Sequence, residues 1–192
     1  MRHFRKIGLR FGWMAAVAAA ALPGSVHACM MSVPQKLEDI RYADVVVVGR
    51  IANYRIIRDE AFRKWMLKSP NLSPDLLKMY RDPKKSLMTD YAHFDINVEE
   101  VLFGRAPARL SATWDNSTFP EPLQMKPGRY LIALRRPNAA SPPLRGPSAT
   151  ITPNPDAKTL TLLQAPCASA FLFEAGSGEA RAIREILAAR GP

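Results

Sequence analysis

Histidine and cysteine are scarce in this chain of 192 residues, which has three of the first and two of the second. His3 and His27 fall within the first 28 residues, so His93 stands alone in the remainder. One histidine cannot assemble the multi-histidine zinc sites of most metallohydrolases. A serine triad would have to be built around it. Placed beside Tyr91 at the head of an alternating segment, His93 reads as an ordinary packed or solvated histidine. There is no Cys-x-x-Cys pair, no glycine-rich phosphate loop and no metal-binding cluster. Glu99 and Glu100 are adjacent, and neighbours on a strand point to opposite faces, so they do not form a carboxylate pair on one substrate. The expectation is no catalytic residue, no metal and no cofactor. After residue 28 no apolar run approaches the length of a bilayer span, and no internal repeat occurs.

What is present begins with a leader. Arg2, Arg5, Lys6 and Arg10 precede an apolar stretch from Phe11 to Leu22. That stretch is too short to span a membrane comfortably. Pro23-Gly24 breaks it, and Ser25-Val26-His27-Ala28 offers small residues at both key positions of a cleavage site. Residues 1–28 are therefore predicted to be a secretory signal peptide, cut after Ala28. Setting the leader aside lowers the basic residues from 27 to 23 against 17 acids, and the net charge from +10 to +6. That mild excess is ordinary solubility charge, with some leaning toward an acidic partner or an anionic surface. The expected location is secreted or periplasmic. In such an oxidising compartment, the even pair Cys29 and Cys167 reads as one disulfide. A cysteine directly after the cleavage point is also where lipid is attached in lipoproteins. Lipid anchoring at Cys29 is thus an alternative, although His27 departs from that pattern.

Residues 29–192 have the size of one domain. Ala43-Asp44-Val45-Val46-Val47-Val48-Gly49-Arg50-Ile51 reads as a strand, because four β-branched valines favour extended chain. Its unbroken apolar run implies cover on both faces, and Gly49 implies a bulge or bend. A short helix over Gln35 to Tyr42 precedes it. Phe94, Ile96 and Val98 alternate with Asp95, Asn97 and Glu99, a strand with one wet face. Arg109 to Trp114, Arg129 to Arg136 and Thr159 to Leu163 alternate likewise. Asp59 to Thr89 breaks the pattern: Phe62, Trp65 and Met66 fall at helical spacing, and Ser73-Pro74-Asp75 is a helix start. This predicts a helical hairpin inserted between strands. Its wet face is assigned Arg63, Lys64, Lys68, Lys78, Arg81, Lys84 and Lys85, a basic patch open to an anionic partner. Residues 137–155 carry six prolines and read as a loop, with a short strand over Ala149 to Thr152. Ser177 caps a last helix with Ile183, Ile186 and Leu187 on one face. The fold class is mainly β: a five- to six-stranded OB-type barrel with the inserted hairpin and a C-terminal helix.

Several of these stretches also carry a family resemblance. A mature chain opening on Cys29, a short helix before Ala43-Asp44-Val45-Val46-Val47-Val48-Gly49, the strand Phe94-Asp95-Ile96-Asn97-Val98-Glu99-Glu100-Val101-Leu102-Phe103-Gly104, the segment Pro127-Gly128-Arg129-Tyr130-Leu131-Ile132, and a late cysteine before a terminal helix resemble the netrin-like domains. These are also called tissue-inhibitor-of-metalloproteinase-like domains, and they occur in inhibitors, complement proteins and secreted bacterial proteins. The resemblance implies an OB-type barrel and a non-catalytic binding role toward an unidentified protein partner. In the inhibitors, the amine and carbonyl of the first cysteine chelate a protease's zinc, which makes Cys29 a candidate chelating N-terminus and a metalloprotease a candidate target. Those inhibitors carry a second cysteine two residues on, where this chain has Met31. Trp65, Tyr80 and Trp114 could serve a nucleic-acid platform, but an exported protein rarely meets one, so no such partner is expected. Asn116-Ser117-Thr118 matches a glycosylation sequon.

Overall fold

The computed structural model describes residues 32–85, 87, 89–115, 122–145 and 156–190. The leader, Cys29, the sequon and the short strand expected at 149–152 lie outside the described residues. A 3-10 segment, Leu37–Tyr42, leads into strand β1, Val45–Ile57. Helices α1, Glu60–Met66, and α2, Pro74–Arg81, form the insertion. Strands β2, Tyr91–Phe103, β3, Arg109–Asp115, and β4, Tyr130–Arg135, follow. Strands β5, Leu160–Leu162, and β6, Leu172–Glu174, precede helix α3, Gly178–Ala188. The sheet runs β1-β2-β3-β5-β4, and β1 pairs back onto β4, so five strands close into a barrel. The β3–β5 pairing is parallel; the others are antiparallel. β6 extends the sheet by pairing with the first half of β4, on the edge whose second half takes β5. Among the described residues no helix is long and apolar enough to cross a membrane.

The four valines of β1 are covered on both faces, as their sequence requires. Val45 and Val47 enter the barrel interior with Phe94, Ile96, Ala112, Ile132, Leu134 and Leu162. Val46 and Val48 point outward into a second cluster with Ile40, Leu131, Leu163, Phe171, Ala180 and Ile183. Burying each valine stabilises by roughly 1.5–3 kcal/mol. Helix α3 supplies the outer cover. Ser177 caps it by accepting from the Ala180 N–H at 3.1 Å, and Arg184 grips Glu100 of β2 through two bonds of 2.8 and 2.7 Å.

The register of β1 with β2 shifts at Val46/Val47, and two further irregularities bend the strand, at Val48/Gly49 and between Ala52 and Arg55. At the first, a Cβ on Gly49 would sit 2.4 Å from the Asn97 carbonyl oxygen, so only glycine fits. At the second, Asn53 has φ of 52° and donates its side-chain amide to Asp95 at 2.7 Å. Ser111 and Arg109 donate to the same carboxylate at 2.6 and 2.7 Å. These bonds, from Ser111, Arg109 and Asn53 in that order, hold the Asp95 carboxyl far below the usual carboxylate range.

The inserted hairpin is anchored by a buried ion pair, and this corrects one expectation. Arg63, assigned by sequence to the wet face, is 2% exposed. Its Nη2 donates to Asp90 at 2.7 Å and to the Lys85 carbonyl at 2.9 Å. Asp90, equally buried, also accepts the Leu87 and Asp59 N–H groups. A short helix joined to the barrel by extended chain needs a fixed point, and the carboxylate at the foot of β2 supplies it. The other six members of the basic patch are exposed. β6 was also not anticipated; three residues are too few to display alternation.

Replacing Gly49 by alanine is expected to cost about 1–3 kcal/mol, the range for overpacking a tight site, while Gly176→Ala, with nothing near its Cβ position, costs little. Chemical unfolding of the two variants against the parent checks this, and equal midpoints would contradict the close approach.

Candidate functional site

The outer face of the sheet changes character along the strands. On β4 and directly after β5, Ala133 and Leu163 belong to the apolar cluster under α3. One pleat repeat away on the same face, Arg135 and Thr161 are polar and pair with each other across the ladder. Thr161 pairs in turn with Thr113 of β3, Thr113 with His93 of β2, and His93 with Arg55 of β1. A continuous cross-strand row, Arg55–His93–Thr113–Thr161–Arg135, therefore runs round the outside of the barrel. Tyr91 and Asp115, paired with one another, lie two residues farther along β2 and β3. The helical insertion leaves the sheet at the β1–β2 end of this row. The β4–β5 connection, which includes Asp156, leaves at the other.

Much of the row is out of water. Thr113 and Thr161 are 0 and 1% exposed. Three buried atoms here have no hydrogen-bond partner, Nδ1 of His93, Oδ1 of Asp115 and Nε of Arg135; the others among the described residues lie on Arg58, Arg63 and Thr89 at the insertion. Leaving one such atom unsatisfied costs about 1–3 kcal/mol. Burial raises the Asp115 carboxyl above its ordinary range, against the pull of the neighbouring Thr161 hydroxyl and the Arg135 guanidinium. The same burial lowers the Arg135 guanidinium. Tyr91 is raised by burial and by the nearby carboxylates of Asp156, Asp59 and Asp115. Asp156 moves the opposite way, held down first by the Thr159 hydroxyl, which donates to it at 2.6 Å, and also by the backbone N–H groups of Lys158 and Thr159. The row thus holds a donor, an acceptor and an imidazole nitrogen able to be either. The Thr113 and Thr161 hydroxyls reach the backbone carbonyls of Leu160 and Thr113, both at 3.4 Å, and also bond the Asp115 carboxylate. No metal-holding group of His, Cys, Asp or Glu occurs among the described residues.

A second region gathers where the N-terminal segment meets the turn between β5 and β6. The Val33 N–H donates to the Cys167 carbonyl at 2.8 Å, and the Gln35 side chain to the Ser169 carbonyl at 3.2 Å. Cys167 is 1% exposed and has φ of 67°, a left-handed conformation unusual for a residue with a Cβ. Gln164 spans the turn, accepting from the Trp114 indole at 3.1 Å and donating to the Ala168 carbonyl at 2.8 Å. Beside them lies a cleft of about 330 Å3 whose lining includes Ser32, Trp114, Gln164, Ser169 and Leu172.

The residues singled out in the sequence thus divide between places. Cys167 lies at this N-terminal edge, and Cys29 lies outside the described residues. The exposed cations of the patch sit on the insertion. Glu99 accepts from Arg50 at 2.9 Å and also from Arg129, whereas Glu100 serves Arg184, so the adjacent glutamates have separate partners. The polar row was not anticipated beyond His93. Its signal was the polar member of each alternating pair on β2, β3 and β5, which the sequence offers only as a wet face. Compared with family models, curated proteins and solved structures, the chain matches none.

A raised carboxyl contributes stability that is complete below the ordinary aspartate pKa and is lost as pH rises through the folded-state value. Asp115→Asn is expected to remove that loss, so that its stability relative to the parent improves as pH climbs from about 4 toward neutrality. Unfolding free energies across this window check it; parallel pH profiles would show that the carboxyl titrates as it does in the unfolded chain.

Proposed function

We propose that this chain is an exported, non-catalytic binding module of the netrin-like class, and that it meets a protein partner through its N-terminal edge. The observation that carries the reading is the hydrogen bond from Val33 to Cys167. It holds the chain four residues after Cys29 against the second cysteine, within reach of a disulfide, since four residues span at most about 14 Å. The barrel order and the terminal helix support the kinship. The leader pattern of residues 1–28 supports export. The cleft bounded by Ser32, Trp114 and Gln164 lies beside this edge and gives a partner's side chain somewhere to enter. In the narrower form of the reading the partner is a zinc metalloprotease, and the Cys29 amine and carbonyl occupy the open position on its metal.

Intact mass of the chain recovered after export tests the frame. Residues 29–192 short by two hydrogens are expected. A mass raised by acyl chains would replace the staple with a lipid anchor, and a retained leader would overturn export. Partner capture from the same compartment is expected to be lost both on adding one alanine before Cys29 and on Gln164→Ala. A partner retained by both variants would place the contact elsewhere. Inhibition of a zinc metalloprotease that survives the added alanine would sink the chelating form alone.

A further inference from the structure

The outer side of the helical insertion sets exposed apolar side chains among cations. Phe62, Trp65 and Tyr80 form a small aromatic cluster of their own, with ring centroids 5.6 Å apart for Phe62–Trp65 and 6.1 Å for Phe62–Tyr80. None of the three belongs to either core cluster. Trp65 is 66% exposed, and Leu76 on α2 is 40% exposed. The direction of Trp65 follows from Arg63. Arg63 is buried against Asp90 at the foot of the barrel, and two residues on an α-helix turn through about 200°. Trp65 therefore points away from the barrel. Lys64 is its neighbour, and Lys68 follows one turn later; Lys78 and Arg81 occupy α2, and Lys84 and Lys85 the chain after it. All six are exposed. None makes an ion pair among the described residues. Of the nearby acids, Asp59 caps α1, Glu60 faces Arg58 at 3.2 Å and Asp82 accepts a backbone N–H, while Asp75 lies exposed in the first turn of α2, so the cations remain in excess.

We infer that this hairpin is an interfacial anchor that seats the protein on an anionic lipid bilayer. An indole with an apolar body and one N–H fits the headgroup boundary. Exposed lysines and arginines around it answer a negative surface. The buried Arg63–Asp90 pair fixes the hairpin to the barrel, so docking the tip orients the whole molecule. A nucleic acid would answer the charge but leave Leu76 without a role, whereas a bilayer uses both. The inference rests on the insertion and is independent of the N-terminal edge.

The test is co-sedimentation of the purified chain with vesicles of phosphatidylcholine, with and without phosphatidylglycerol. Parent and variants are compared in the same form, so any contribution of residues 1–31 is common to all. Binding is expected only to the anionic vesicles, falling with salt. Trp65→Ser and the pair Lys64→Glu with Lys68→Glu should each weaken it, the charge pair by at least about tenfold. Quenching of indole emission by brominated lipid is expected to be clearly stronger in the parent than in Trp65→Phe, whose remaining indoles are Trp13 and Trp114. These positions are exposed, so unchanged unfolding midpoints are the control for folding. Equal binding to neutral vesicles, or undiminished binding by Trp65→Ser, would overturn the inference. So would binding of an oligonucleotide by the same six cations with no vesicle binding.

Discussion

Burial of one strand on both faces is the constraint from which the architecture follows. Val45 to Val48 have no side to give to water. A single layer cannot cover them, so one face must look into a closed barrel and the other must find a second layer. Closure of β1 onto β4 supplies the first, and α3 with the 3-10 segment supplies the second. The same strand must then leave β4 and continue with β2 alone. The register shifts at Val48/Gly49 and between Ala52 and Arg55, with Gly49 itself, allow that bend. Asp95 secures the far side of it with three donors from two strands, which is why a polar cluster sits at a corner of an otherwise apolar shell.

Closure also explains the polar row. Tracing partners round the barrel from Arg55, four pairings lead to Arg135, whose neighbours Leu134 and Arg136 meet Val45 and Asp44 at the opposite end of β1. The row climbs most of a strand in one circuit, as a strongly sheared small barrel requires. Helix α3 covers only part of the outer face. Where its apolar cover ends, Leu163 and Ala133 give way to Thr161 and Arg135, and polar groups stand in a layer that is still largely closed to solvent. Asp115 is raised and Arg135 lowered there by desolvation, because burial continues after the apolar lining has stopped.

How far the sequence reveals this depends on what carries each feature. The barrel strands were legible because alternation is local: Phe94, Ile96 and Val98, or Tyr130, Ile132 and Leu134, announce their face within six residues. Helix starts at Ser73 and Ser177 were legible for the same reason, since a cap acts over three residues. Arg63 was misplaced because its fate depends on Asp90, 27 residues away. Nothing local distinguishes it from Lys64. The row was hidden for a related reason. Its members come from five strands, and only the register, which closure sets, brings Thr161 beside Thr113 and His93.

The N-terminal segment shows most clearly why local structure alone does not suffice. Residues 32–36 lie outside every helix and strand, yet they run along the β5–β6 turn and are joined to it by two hydrogen bonds, from Val33 and Gln35. Fixing five residues costs roughly 5–10 kcal/mol of backbone entropy. Two hydrogen bonds return about 2 kcal/mol between them. Those bonds alone fall short, and the proposed Cys29–Cys167 cross-link would tether the near end of the segment to the turn, which reduces the freedom the segment has to lose. The balance therefore favours the proposed Cys29–Cys167 staple as the element that makes the edge rigid enough to present to a partner. The left-handed backbone at Cys167 is then a strain borne at the point where the constraint is applied.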